Sequence, residues 1–182
     1  VALLADHRTA EGEWHEAVRH WEAGPIRTVT RRARGVRWQA VQNLPGVTVD
    51  HAGAQVRAFV PAPVTEVPAE LARLQVAGLD LDDAAEPTPP PMPPYAVIAL
   101  NPRAPMSTGK AAAQSGHAAH LLLREGGEPA RGAWLAAGLA VRLEREAPWE
   151  ESVGHADVVV RDAGFTEVAP GTMTALAWIV SG

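Results

Sequence analysis

Tyr95-Ala-Val-Ile-Ala-Leu100, then the polar run NPRAPMSTG (101–109), then KAAAQSGHAAHLLL (110–123), is the stretch whose reading decides the fold. The first six residues are a short, nearly continuous apolar run, suited to a buried strand. The alanine- and leucine-rich run after the polar stretch predicts a helix, with Ser107 or Thr108 as its N-cap. A strand feeding a helix through a short polar loop opens an α/β arrangement.

The elements that follow extend it. A second short helix is expected over Pro129 to Ala137, stopping at Gly138. Ala140 to Glu146 alternates apolar and charged residues as a half-exposed strand does, and DVVVR (157–161) and ALAWIV (175–180) read as the last two strands. The segment Ala147 to Ala156 leaves room for a helix of one or two turns. The sequence therefore predicts a small α/β sandwich.

Upstream, six prolines between Asp80 and Pro94 follow the acidic run DLDD. Prolines at that density suit an extended linker over 80–94 and exclude a helix or a central strand. The linker divides an N-terminal part, 1–79, from a C-terminal domain, 95–182. The N-terminal part reads as a degenerate copy of the C-terminal one. Trp38 precedes Gly53 by 15 residues, and Trp149 precedes Gly164 by 15. VTVDHAG (47–53) lies over VVVRDAG (158–164), and Trp21-Glu-Ala-Gly24 corresponds to Trp134-Leu-Ala-Ala-Gly138. AQVRAFV (54–60) then matches the final ALAWIV with the intervening loop lost, which predicts a hairpin over Val47–Val60. Copy one lacks the first strand, and with a valine at position 1 this fits translation assigned to an internal GTG codon.

Composition narrows the function classes. The 182 residues are 47% hydrophobic, as expected of a globular chain. No window approaches the roughly 18 apolar residues of a spanning helix, and no basic stretch followed by an apolar core opens the chain. Without cysteine there is no disulfide framework, thiolate zinc site or cysteine nucleophile, which fits the cytoplasm. A net charge of −5 argues against general nucleic-acid binding by phosphate neutralisation. Lys110 is the only lysine beside 15 arginines, in an Ala-, Gly-, Pro-, Arg- and Val-rich chain that fits a GC-rich bacterial genome. A lysine retained in such a background either survives by chance or does what a guanidinium cannot.

Two segments can carry chemistry. In STGKAAAQSGHA (107–118), a glycine and a lysine at a helix start put free N–H groups, the positive dipole end and an ammonium side by side, a combination that suits a phosphate or carboxylate. The spacing is not that of a Walker loop, and a capped helix with a solvated Lys110 is the plainer reading. Gln114 and His117 fall on neighbouring faces of this helix. Among alanines, His117 reads as a hydrogen-bonded packing residue, and no metal-binding spacing is present. In DAGFTEVAPGTMT (162–174), an acid leaves a buried strand at a glycine turn, and a Pro-Gly turn returns the chain past three threonines. That is either a hairpin of Asx- and ST-turns or a loop of fixed hydroxyls with one acid to orient water.

Together, GKxAAQxxHA (109–118) after a strand and DAGxTxxxPGTxT (162–174) before a last strand resemble the class-2 peptidyl-tRNA hydrolases of archaea and eukaryotes, with their bacterial relatives. The resemblance covers 95–182 and, weakly, the N-terminal copy. It implies a small mixed four-stranded sheet with helices packed on it. It further implies hydrolysis of the ester joining a peptide to the 3′ end of tRNA, without metal or organic cofactor, and a homodimer or a pseudo-dimer of the two copies within one chain. It implies catalytic roles for Lys110, Asp162 and Thr172, and a substrate-binding set of Gly109, Gln114, His117, Thr166, Gly171 and Thr174. On that reading Lys110 holds a phosphate or the developing oxyanion, and Asp162 orients or deprotonates water.

Departures from the family pattern bear on the same residues. Phe165 stands where the family commonly has a basic residue, the third helix is short, and the chain ends in AWIVSG in place of a glycine-rich run. Copy one has His51 where Asp162 falls, no lysine and no Pro-Gly-Thr loop, so it is expected to be catalytically dead. Its arginines 27, 31, 32, 34 and 37 are either a solvated strand face or an RNA contact. Two rival readings remain: a non-catalytic module of the same fold that binds a nucleotide or a protein, and a hydrolase of smaller esters or amides.

Overall fold

The computed structural model describes residues 1–24, 26–51, 53–76 and 89–182. Most of the expected linker, 80–88, lies outside the described residues. The chain divides into two compact units, Val1–Ala77 and Gly78–Gly182.

The first unit contains α1 (His7–Ala10), α2 (His15–Glu22), α3 (Gly35–Val41), β1 (Gly46–His51), β2 (Ala54–Phe59), a 3₁₀ turn at Val64–Glu66 and α4 (Ala69–Ala72). Leu3, Trp14 and Val18 form one buried cluster in it, with Val47 and Val60 packed against them, and Val41 and Leu74 are buried as well. Strands β1 and β2 make the expected hairpin, antiparallel from Gly46↔Phe59 to His51↔Ala54. Gly53 in this hairpin and Gly164 in the loop after β5 both have a φ of +79°. The returning strands differ in register from what the sequence match predicts. Val47 pairs with Ala58, and its counterpart Val158 pairs with Ala177. Ala58 therefore matches Ala177, two places from where the sequence match puts it, because the short turn after His51 sets the register of the first hairpin.

The second unit contains β3 (Tyr95–Leu100), α5 (Thr108–Glu125), α6 (Ala130–Ala136), β4 (Val141–Glu144), α7 (Trp149–Val153), β5 (Val158–Arg161) and β6 (Met173–Val180). The sheet is mixed and four-stranded, in the order β4-β3-β6-β5. Strand β3 runs parallel to β4 and antiparallel to β6. A parallel β3–β4 pair requires a crossover, which α5 and α6 supply. Both faces of the central strands are covered. Ala99 and Leu176 pack on Ala147 and Trp149. Strand alternation turns Ile98 and Ala177, both buried, to the opposite face, where α5 lies against β3, β5 and β6. Ala96, Ala175 and Ala177 on the sheet and Ala118 on the helix are fully buried, so small side chains let the helix backbone come close. Trp134 fills the space under α6, and its indole N–H donates to the Ala140 carbonyl at 2.8 Å, fixing the entry to β4.

Two sequence readings need adjustment. Strand β6 begins at Met173, two residues before the expected start. The register with β5 also slips there: Val160 faces Ala175 and Arg161 faces Met173, leaving Thr174 as an extra residue. That bulge shapes the site.

Candidate active site

Helix α5 starts where the sequence places it. Ser107 is the N-cap, its hydroxyl accepting from the Lys110 N–H at 3.2 Å. Lys110 and Gln114 stand one turn apart on α5, in position to reach the β5–β6 loop together. The loop brings Asp162 to them. Lys110 Nζ donates to Asp162 Oδ2 at 2.6 Å and to Thr166 Oγ1 at 3.0 Å. Gln114 Nε2 donates to the same Asp162 oxygen at 2.8 Å, and the Gly164 N–H donates to Oδ1 at 2.8 Å. Residues 52 positions apart thus form one polar cluster, with side chains only 11% and 9% exposed for Lys110 and Asp162.

The loop is held in this shape from several sides. Gly171 N–H donates to the Asp162 carbonyl, and Asp162 N–H donates to that of Thr172. Gly164 is required twice over: its φ is +79°, and a Cβ there would fall 2.4 Å from the Pro170 ring. Val168 is buried and anchors the loop's far side. Glu167 clips the loop onto α5, accepting from the Ser107 N–H at 2.7 Å and from its hydroxyl at 2.8 Å. Asn101, at the end of β3, donates from its side chain to the Met173 carbonyl at 2.7 Å, tying the third element of the site to β6.

The remaining expected site residues sit at different depths. Thr174 is fully buried. The bulge turns it toward α5, where its hydroxyl donates to Gln114 Oε1 at 2.5 Å. It sets the Gln114 amide so that the nitrogen faces Asp162, and it has no surface to offer a substrate. Thr172 donates to the Ala169 carbonyl within its own loop at 2.7 Å. Gly109 is buried in the first turn of α5, and Gly171, at φ +81°, makes the Pro-Gly turn. Phe165 is 71% exposed beside Thr166. His117 lies outside the bonded cluster. The sequence predicts a hydrogen-bonded packing residue, whereas its Nδ1 is buried with no hydrogen-bond partner among the described residues. Burial pushes the imidazole below its usual pKa and the neighbouring His120 adds to this, against Glu125 and Asp162, so the ring is neutral at pH 7.

Burial by itself would raise the Asp162 carboxyl. The Lys110 ammonium, the Gly164 N–H and the Gln114 amide outweigh it and hold the group below the usual carboxylate range. Asp162 is therefore ionised at neutral pH, with three donors on about four acceptor positions. Such a carboxylate is a weak proton acceptor but a firm anchor for the ammonium. Lys110 has three N–H donors, and the two side-chain bonds just described leave one without a partner among the described residues.

Two contributors were not legible in the sequence. Glu167 looks like any solvated loop acid, and its role appears only once the loop folds back on Ser107. Asn101 follows a strand as many asparagines do.

Among the described residues, no group of three or more His, Asp or Glu is placed to hold a metal ion, and no helix is long and apolar enough to cross a membrane. No family model matches the chain, and none of the curated proteins matches it.

Proposed function

We propose that the second unit is an esterase-type hydrolase of the class-2 peptidyl-tRNA hydrolase kind, cleaving the ester between a peptide and the 3′ end of tRNA in the cytoplasm. The observation that carries this reading is the Lys110 ammonium, fixed at the first turn of α5 by Asp162 and Thr166 with one donor left over. Water adds to the ester carbonyl, the C–O bond to the ribose 3′-oxygen breaks, and the proton from water ends on that oxygen. Charge develops on the carbonyl oxygen during addition. An ammonium held in a partly dehydrated cluster stabilises that charge without having to reorganise, an effect worth about 10²–10³ in rate for one donor. Lys110 is the catalytic residue on this account. Asp162 is a positioning residue with one acceptor position open to water, and Gln114 and Thr174 support it from beneath.

A second reading, a non-catalytic module that holds an anion in the same cluster, is favoured by the low basicity of Asp162. Incubating the protein with N-acetylaminoacyl-tRNA and following released tRNA separates the two. The hydrolase reading expects multiple turnovers by wild type and loss of at least about 100-fold in Lys110→Ala. Stoichiometric binding without release supports the module.

A further inference from the structure

The first unit carries a charge pattern unlike the rest of the chain. Between Glu22 and Asp50 there is no acidic residue, while arginines occupy positions 27, 31, 32, 34 and 37, within a protein of net charge −5. The backbone there is pinned. Arg32 pairs with Gln75 in an isolated antiparallel bridge, its N–H donating to the Gln75 carbonyl at 2.9 Å. Arg34 is the N-cap residue of α3, so the segment leaves the bridge and enters the helix directly. Arg34 and Arg37 are exposed and three residues apart, on one side of the first helical turn, and Arg31 is half-buried on the extended part. Among the described residues no carboxylate lies within ion-pair distance of Arg31, Arg34 or Arg37.

We infer that this arginine segment is an RNA-backbone contact by which the first unit holds tRNA; the choice of tRNA as the polyanion rests on the proposed function. The guanidinium groups of Arg31, Arg34 and Arg37, with no carboxylate partner among the described residues, present forked donors that match phosphate oxygens, and Thr28 and Thr30 interleave hydroxyl donors of the kind that contact phosphates. A membrane surface fits less well. Basic membrane-binding segments are amphipathic helices with a broad apolar face, whereas the described residues 26–34 form no helix and α3 has only seven residues. A non-catalytic first unit thereby gains a role, supplying the positive charge that the chain as a whole lacks.

The test uses the full chain and a deacylated tRNA transcript, with binding followed by fluorescence anisotropy from 50 to 300 mM salt. Wild type is compared with the triple variants Arg31→Gln/Arg34→Gln/Arg37→Gln and Arg31→Lys/Arg34→Lys/Arg37→Lys. The glutamine variant should lower the slope of log K against log salt by about two to three, which at 100 mM salt is a loss on the order of 100-fold in affinity. The lysine variant should keep most of the slope. An unchanged slope in the glutamine variant overturns the inference, as does loss of binding to phosphatidylserine vesicles with tRNA binding intact. Hydrolysis of N-acetylaminoacyl-tRNA is read separately: arginine-dependent binding without turnover removes the proposed function and leaves the RNA surface standing, and turnover with an unchanged slope does the reverse.

Discussion

The Lys110–Asp162 pair is the buried ion pair of the polar cluster in the second unit. The helix-terminal position of Lys110 suggests a side chain whose loss leaves stability alone, but the structure buries it against a carboxylate. Lys110→Ala strands that charge and should lower stability by about 3 kcal/mol, read as a drop in the melting temperature. Asp162→Asn removes the anchor but not the ammonium, so it should lower kcat more than it raises KM. The pH dependence follows from the two lowered pKa values. An Asp with a depressed folded pKa contributes stability that is present above its unfolded pKa of about 3.9 and lost as pH falls through the folded value. His117, kept neutral by burial, has the same sign in an earlier window, beginning near its unfolded value of about 6.5. Denaturant titrations from pH 7 down to pH 3 should show stability falling in both windows. His117→Gln should remove the first fall and Asp162→Asn the second; an unaltered acid limb in either variant contradicts its assignment. Lys110 stands out in the sequence because arginine has taken every other basic position. Glu167 does not, since its partner Ser107 lies 60 residues away.

The β5–β6 loop is the element on which the site depends, and its glycines are not equivalent. Gly164 has both a left-handed φ and a proline ring where a Cβ would go, whereas Gly171 has the left-handed φ and open space. Gly171→Ala should cost about 1–2 kcal/mol. Gly164→Ala should cost more and abolish turnover, because Pro170 or the loop backbone must shift to admit the methyl group. Equal melting temperatures for the two variants would show that the Pro170 contact does not constrain the loop. Thr174→Val leaves the buried Gln114 oxygen without its donor, at about 1–3 kcal/mol, and should slow hydrolysis by releasing the Gln114 amide from Asp162. The order of strands and helices is legible here because apolar runs and caps are local signals, and Ser107 and Gly138 mark their helix ends. The bulge is not. A strict alternation puts Met173 and Ala175 on one face and Thr174 on the other, and only pairing with β5 reveals the extra residue. For the same reason the hairpin over Val47–Val60 is legible in the sequence while its register is not: pairing partners are set by the turn.

The two units differ in how much apolar structure they bury. The second encloses both faces of β3 and β6, with Ala96, Ala99, Ala175, Leu176 and Ala177 fully buried. The first rests on a small cluster around Trp14, and its hairpin leaves Val49 and Val56 exposed. Hydrogen exchange should therefore be slowest in β3, β6 and the middle of α5 and much faster in β1 and β2; equal protection in the β1–β2 hairpin would contradict this. The most direct test of the account is the single-turnover hydrolysis of N-acetylaminoacyl-tRNA by wild type, Lys110→Arg and Lys110→Ala at saturating enzyme. Arginine preserves the charge, but its longer planar head cannot reproduce the 2.6 Å and 3.0 Å contacts of a compact ammonium with Asp162 and Thr166. Robust cleavage by wild type and a loss on the order of 100-fold or more in both variants are expected. Near-wild-type cleavage by Lys110→Arg, or none by folded wild-type protein, would contradict the account.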